Sequence, residues 1–306
     1  MWCFAHSAAD LVTQKLGRRV SAFDLAAKYL LGDEERLLQN PAPDVQRALQ
    51  EDPRFLPRLY QWRLEDRGAY EPARILGERG LYFLGGMDQD AILLSFESGF
   101  CADSRLPGSA EAFPRYLKEI NTFARKHCGR EGIENCSYPD PGRIGSVPEA
   151  KSRPLAALFR RWTDQMCGQR IHPEIPVTAR SVDVAGDLKE DLLRLQKGEI
   201  TRQETQQKLF AEIDLRLDQS TAVSIGYDFS DIAEPEDPKD PLADHSSVIA
   251  ARRKFGSECR YFLRTHSGAE CGYRGGVEKF CEKKAGGVWV SRADLPSIYA
   301  VVSIRQ

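Results

Sequence analysis

Phe4, Ala8, Leu11 and Val12 recur at the spacing of one helical face. The chain therefore opens with a helix that begins at or just after Cys3 and must bury that stripe against something else. Cys3 stands at the helix N-terminus, where unpaired backbone N–H groups and the positive end of the macrodipole favour thiolate over thiol. The position suits a nucleophile, although a cysteine taken alone is more often a small buried hydrophobe. A thiolate nucleophile also needs a base and a group that orients the base, and these meet it in space rather than in sequence.

The C-terminal part of the chain supplies candidates. Asp244-His245-Ser246-Ser247-Val248-Ile249-Ala250 sets a histidine ahead of an apolar strand, and Tyr261-Phe262-Leu263-Arg264-Thr265-His266-Ser267-Gly268 reads as the next strand and its end. Thr221 to Tyr227 alternates as a strand, and Val288-Trp289-Val290 follows near the C-terminus. Between these ends lie Gly85-Gly86-Met87-Asp88-Gln89-Asp90-Ala91, Glu97-Ser98-Gly99-Phe100-Cys101 and Ser104-Arg105-Leu106-Pro107. Cys-aromatic-Ala-x-Ser-Ala at the head of a helix, the glycine pair, Asp-His before a strand and Tyr-x-Leu-Arg-x-x-x-Gly, in that order, resemble a papain-like cysteine peptidase.

That resemblance implies an α+β, two-lobe fold, with a helical N-terminal lobe, a β-rich C-terminal lobe and a cleft between them. It implies hydrolysis of peptide bonds in a peptide or protein substrate, with Cys3 as nucleophile and His245 as general base, and no metal or organic cofactor. Gly85 and Gly86 would hold substrate main chain, which approaches closely where a residue has no Cβ. The family's Asn-Ser-Trp-Gly is represented here by Thr265-His266-Ser267-Gly268, so by register Thr265 replaces the Asn that orients the imidazole and Ser267 replaces the shielding Trp. A one-residue slip would offer His266 instead. Adjacent strand residues face opposite sides, so at most one of the two serves without a bulge. Only Met1 and Trp2 precede Cys3; the family's oxyanion-hole glutamine is expected either upstream of this sequence or not at all.

Punctuation by glycine and proline divides the rest. Gly17 reads as a helix stop, and Ser21-Ala22-Phe23-Asp24 as the start of a second helix. Prolines at 41, 43, 53, 57 and 72 break residues 33–84 into short helices with turns. Helical spacing recurs over 91–98, 113–127, 155–166 and 188–217. The expected organisation is a helical lobe over 1–107, an insertion over 108–180, and a helix plus β-rich lobe over 181–306.

A net charge of −2 gives no electrostatic reason to expect nucleic acid or an anionic membrane as partner, and no apolar run reaches the ~20 residues of a membrane span. Eight cysteines favour an oxidising compartment, secreted or periplasmic, with Cys271 and Cys281 placed to close a Gly-rich loop. Setting Cys3 aside leaves seven, an odd number, so one thiol stays outside any disulfide. His127, Cys128, Cys136, Cys167 and His172 match no short zinc signature, and no metal is expected. His6, one turn after Cys3, is a second group that would perturb the thiol. The competing function is a catalytically impaired homologue whose cleft binds protein or peptide, motivated by the replaced Asn and Trp. Amide transfer to an acceptor other than water would use the same residues.

Overall fold

The computed structural model describes residues 2–25, 99–104, 165–174, 177–183, 201–233, 244–264 and 276–305, with single positions at 43, 47, 50, 51, 92, 122 and 163. Gly85, Gly86, Thr265, His266, Ser267 and Cys271 lie outside the described residues. The chain has a mixed α+β architecture, with helix toward the N-terminus and a β-sheet toward the C-terminus. It divides into two compact units that do not follow chain order. One comprises Cys3–Val20, Leu84–Phe96 and Pro173–Gln306, the other Met1–Trp2, Ser21–Phe83 and Glu97–His172.

Helix α1 spans Trp2–Leu16. Its expected stripe is buried, Ala8 and Val12 fully and Phe4 and Leu11 to 3% exposure. Gly17 follows at φ +62°, the left-handed conformation that ends helices and that glycine adopts without a Cβ penalty. Val20 then donates its backbone N–H to Thr13 Oγ1 at 2.9 Å, fastening the exit of the helix.

In the other unit, β1 (Phe100–Ser104) and β2 (Cys167–Ile171) form an antiparallel pair. A Cys101–Cys167 disulfide joins them. Ser21 begins a helical turn whose Asp24 N–H it caps at 3.4 Å, and its own backbone N–H donates to the Cys101 carbonyl at 2.9 Å. The buried Asp24 carboxylate accepts from the Cys101 N–H at 3.0 Å and faces Arg170 at 3.5 Å, so its charge is partnered. Positions 43, 47, 50, 51, 92, 122 and 163 are helical, each within a stretch read as helix or short helices from sequence.

Strand β3 (Ala179–Asp183) belongs to the first unit, as does α2 (Arg202–Asp218). Thr201 opens α2 with a capping box: its side chain accepts from Glu204 N–H at 3.2 Å, and Glu204 accepts from Thr201 N–H at 2.7 Å. The remaining strands are β4 (Val223–Asp228), β5 (Asp244–Phe255), β6 (Glu258–Arg264), β7 (Cys281–Glu282), β8 (Gly287–Val290) and β9 (Ala300–Ile304). They join β3 in one seven-stranded antiparallel sheet, in the order β3-β9-β4-β5-β6-β8-β7.

The alternating reading of 221–227 holds for a physical reason. Val223, Ile225 and Tyr227 join Ile249, Tyr261, Leu263, Val288 and Val290 in a core with Leu209, Phe210 and Ile213 of α2. The residues between them, Ser224 and Gly226, are on the opposite face and are buried too, Ser224 through a 2.8 Å hydrogen bond to Ser246. β9 is buried at every position, a run without alternation that leaves no period to read. Charge on the sheet is paired: Asp214 of α2 accepts from Tyr261 Oη at 3.1 Å and meets Arg252 at 2.7 Å and Arg292 at 2.6 Å.

Gly226 shows how closely the buried face is filled. A Cβ built there would stand 2.5 Å from Cε2 and 2.7 Å from Cζ of Tyr299, whose N–H donates to the Gly226 carbonyl at 3.0 Å. Gly226→Ala is expected to lower unfolding free energy by about 1–3 kcal/mol in urea melts, the usual cost of overpacking. A loss below about 0.5 kcal/mol would mean that the Tyr299 ring moves aside freely.

Candidate functional site

Cys3 is the second residue of α1. It is buried and outside any disulfide. It stands among the first-turn N–H groups that an α-helix leaves without an intrahelical acceptor, and that turn contains no acidic residue to oppose a negative charge. The helix terminus favours negative charge at this sulfur, and burial opposes it.

His6 does not add to that effect. Burial, and secondarily the charge of Arg19, lowers its pKa from 6.5 to about 4, so at neutral pH it is an uncharged imidazole. It provides no cation beside Cys3. Asp10, one turn further on, has its pKa raised by burial, while Arg264 and Arg19 pull it back. Its carboxylate meets Arg264 Nε at 3.6 Å.

His245 is the second residue of β5 and half-buried. Register sets it directly opposite Tyr227 of β4, with Ser247 opposite Ile225 and Ile249 opposite Val223. Strand alternation therefore places His245 on the same face as Ser247 and Ile249. Tyr227 meets the imidazole edge-on, centroids 5.7 Å apart and planes at 83°. Phe229, in a one-turn helix over Phe229–Asp231, lies closer, with centroids 4.5 Å apart and planes at 40°. Tyr227 also shares a 3.1 Å hydrogen bond with Ser247, which holds its ring in place.

Cys3 and His245 fall in the same compact unit. An ion pair joins α1 to β6: Asp10 faces Arg264, the last residue of β6, whose register partner on β5 is Val248, a position on the sheet face opposite His245. The glycine pair and Thr265, with its alternative His266, lie outside the described residues. The two aromatic partners of His245 carried no sequence signal that pairs them with it: Tyr227 reads only as part of the 221–227 strand, and no motif contains Phe229.

Cys167 is bound to Cys101, so the zinc set drawn through Cys167 loses that thiolate. Among the described residues no group of three or more His, Cys, Asp or Glu is placed to hold a metal ion. Cys281 is also disulfide-bonded, whereas Cys259 is an exposed thiol outside any disulfide. No helix among the described residues is long and apolar enough to cross a membrane. The chain matches no family model and no curated protein sequence.

The α1 titrations give a pH dependence. Above pH 6.5 His6 is neutral in the folded and the unfolded chain alike; between 6.5 and about 4 only the unfolded chain takes up the proton, so stability falls as pH falls through that window. Asp10 acts in the opposite sense. Its raised pKa lets the folded chain bind a proton at higher pH than the unfolded one, so its contribution to stability grows on acidification. Urea unfolding of His6→Gln is expected to show a smaller loss of stability between about pH 7 and about pH 5 than the parent protein. Equal losses in the two proteins would contradict the buried, neutral state of His6.

Proposed function

We propose that this chain is a papain-like cysteine-type peptidase of two lobes, in which Cys3 attacks a peptide carbonyl and His245 handles the proton. What supports the reading is that Cys3, buried and outside any disulfide at the head of α1, belongs to the same compact unit as His245.

In this reading the imidazole accepts the thiol proton and the thiolate adds to the carbonyl carbon. Collapse of the tetrahedral adduct expels the amine, which takes the proton from the imidazolium, and leaves a thioester on Cys3. Water, deprotonated by His245, then hydrolyses the thioester and releases the acid. The backbone N–H groups at the head of α1, that of Cys3 included, stabilise the oxyanion at both stages. Gly85 and Gly86 hold the substrate main chain, and Thr265 orients the imidazole through its hydroxyl. The disulfides at Cys101–Cys167 and at Cys281 suit a secreted or periplasmic enzyme.

A second reading, a homologue that binds peptide without cleaving it, is favoured by the setting of His245. The histidine shares its face with Ile249 and with the α2 core, and two aromatic rings engage it, as they would a structural residue. Turnover separates the two. Hydrolysis of unfolded casein and of peptidyl-aminocoumarin substrates is expected from the parent protein, with kcat/KM lower by about 10³-fold or more in Cys3→Ser and in His245→Ala. Activity that survives Cys3→Ser contradicts the peptidase reading. So does retention of peptides, seen by calorimetry, with no cleavage in any variant.

A further inference from the structure

The turn beside His245 is held to the sheet by a set of hydrogen bonds that the reaction above does not use. Asp228 ends β4, and its carboxylate caps the one-turn helix by accepting from Ser230 N–H at 2.9 Å. The backbone N–H of Asp228 donates to Ser297 Oγ at 2.8 Å. Ser297 in turn donates twice to the Asp231 carboxylate, from its backbone N–H at 3.0 Å and from its hydroxyl. Both ends of the Phe229-carrying turn are therefore fastened to one serine from the segment before β9. Ile232 and Ala233 close it by donating their N–H groups to the Phe229 carbonyl at 3.1 and 3.0 Å.

Such fastening gives a loop phenylalanine a fixed place, and the place is against His245. The Phe229 ring meets the imidazole at a 40° tilt while Tyr227 meets it edge-on from the neighbouring strand. An imidazole on a strand turns about χ1 and χ2, and two rings packed against it narrow its orientations.

We propose that Phe229, locked by the Asp228–Ser297–Asp231 hydrogen bonds, is a positioning residue for His245: it fixes the imidazole orientation from which the Cys3 proton is taken. The proposal rests on the Cys3–His245 reading above and assigns it a support built from β4 and the segment before β9. The ring does not touch substrate or thiol. Its effect passes entirely through the histidine, so a shape-conserving aromatic replacement restores it and an aliphatic one does not.

The test compares the parent protein with Phe229→Leu, Phe229→Tyr, Ser297→Ala and His245→Ala by two readouts, after thermal melts show that each variant is folded. The first is the NMR signature of the His245 ring protons in protein labelled at histidine. The Phe229 ring current shifts these signals; Phe229→Leu is expected to abolish that shift, Phe229→Tyr to keep it, and Ser297→Ala to broaden or reduce it. The second is the rate of Cys3 carboxamidomethylation against pH, followed by peptide mapping. Phe229→Leu is expected to slow the neutral-pH rate about tenfold, as a misplaced base does, and Phe229→Tyr to restore it.

His245→Ala separates the two ways of failing. If His245→Ala slows Cys3 but Phe229→Leu does not, the positioning role is overturned while the Cys–His pair stands. If His245→Ala leaves the Cys3 profile unchanged, the pair itself fails and the proposal fails with it. His245 signals that do not respond to Phe229→Leu overturn it as well, whatever the thiol does.

Discussion

A half-buried carboxylate is easier to keep charged beside a cation, and Asp10 of α1 faces Arg264 at the end of β6. Burial raises the Asp10 pKa, and the charges of Arg264 and Arg19 pull it down. The pair joins α1 to β6, and both belong to the compact unit that holds the sheet. The thiol at the head of α1 and the imidazole on β5 both lie in that unit, which is their frame in the proposed reaction. Without it they belong to elements that share no sequence neighbourhood.

The sheet is the other half of that frame. Its α2 side is a packed apolar core, and its opposite side at β4 carries Ser224, paired with Ser246, and Gly226, closed over by Tyr299. β4 is buried from Val223 to Tyr227, and β5 is buried from Ser246 to Ile249, next to the half-buried His245. The imidazole is therefore positioned by strand register, by Tyr227 and by Phe229. A site built on such elements holds its geometry better than one built on loops. His6, one turn after Cys3, is kept uncharged at neutral pH by burial.

Much of this was legible in the sequence where a period exposed it. The Phe4, Ala8, Leu11, Val12 stripe gave α1, and alternation gave β4, because each element buries one face against apolar neighbours. Gly17 and Ser21 marked a helix end and a helix start through local backbone chemistry, which needs no tertiary knowledge. β9 escaped notice because Ala300-Val301-Val302-Ser303-Ile304 is buried throughout and has no alternation. β3 was likewise hidden, since Ala179-Arg180-Ser181-Val182-Asp183 becomes a strand through its pairing with β9. The Cys101–Cys167 bond could not be deduced from eight cysteines, whose pairing depends on which strands meet. At the site, Cys3 and His245 were named from motif and position, but Tyr227 and Phe229 reach His245 only through register and a turn held by Ser297.

The central claim is that Cys3 is ionised by its helix terminus and by His245 together. The most direct measurement is thiolate absorbance at about 240 nm against pH, taken as the difference between the parent protein and Cys3→Ser and repeated in the His245→Ala background. The account predicts a Cys3 thiolate already present at mildly acidic pH, with an apparent pKa that moves up toward the ~8.5 of a free thiol when His245 is removed. A Cys3 signal that appears only near or above ~8.5 in both backgrounds would contradict it.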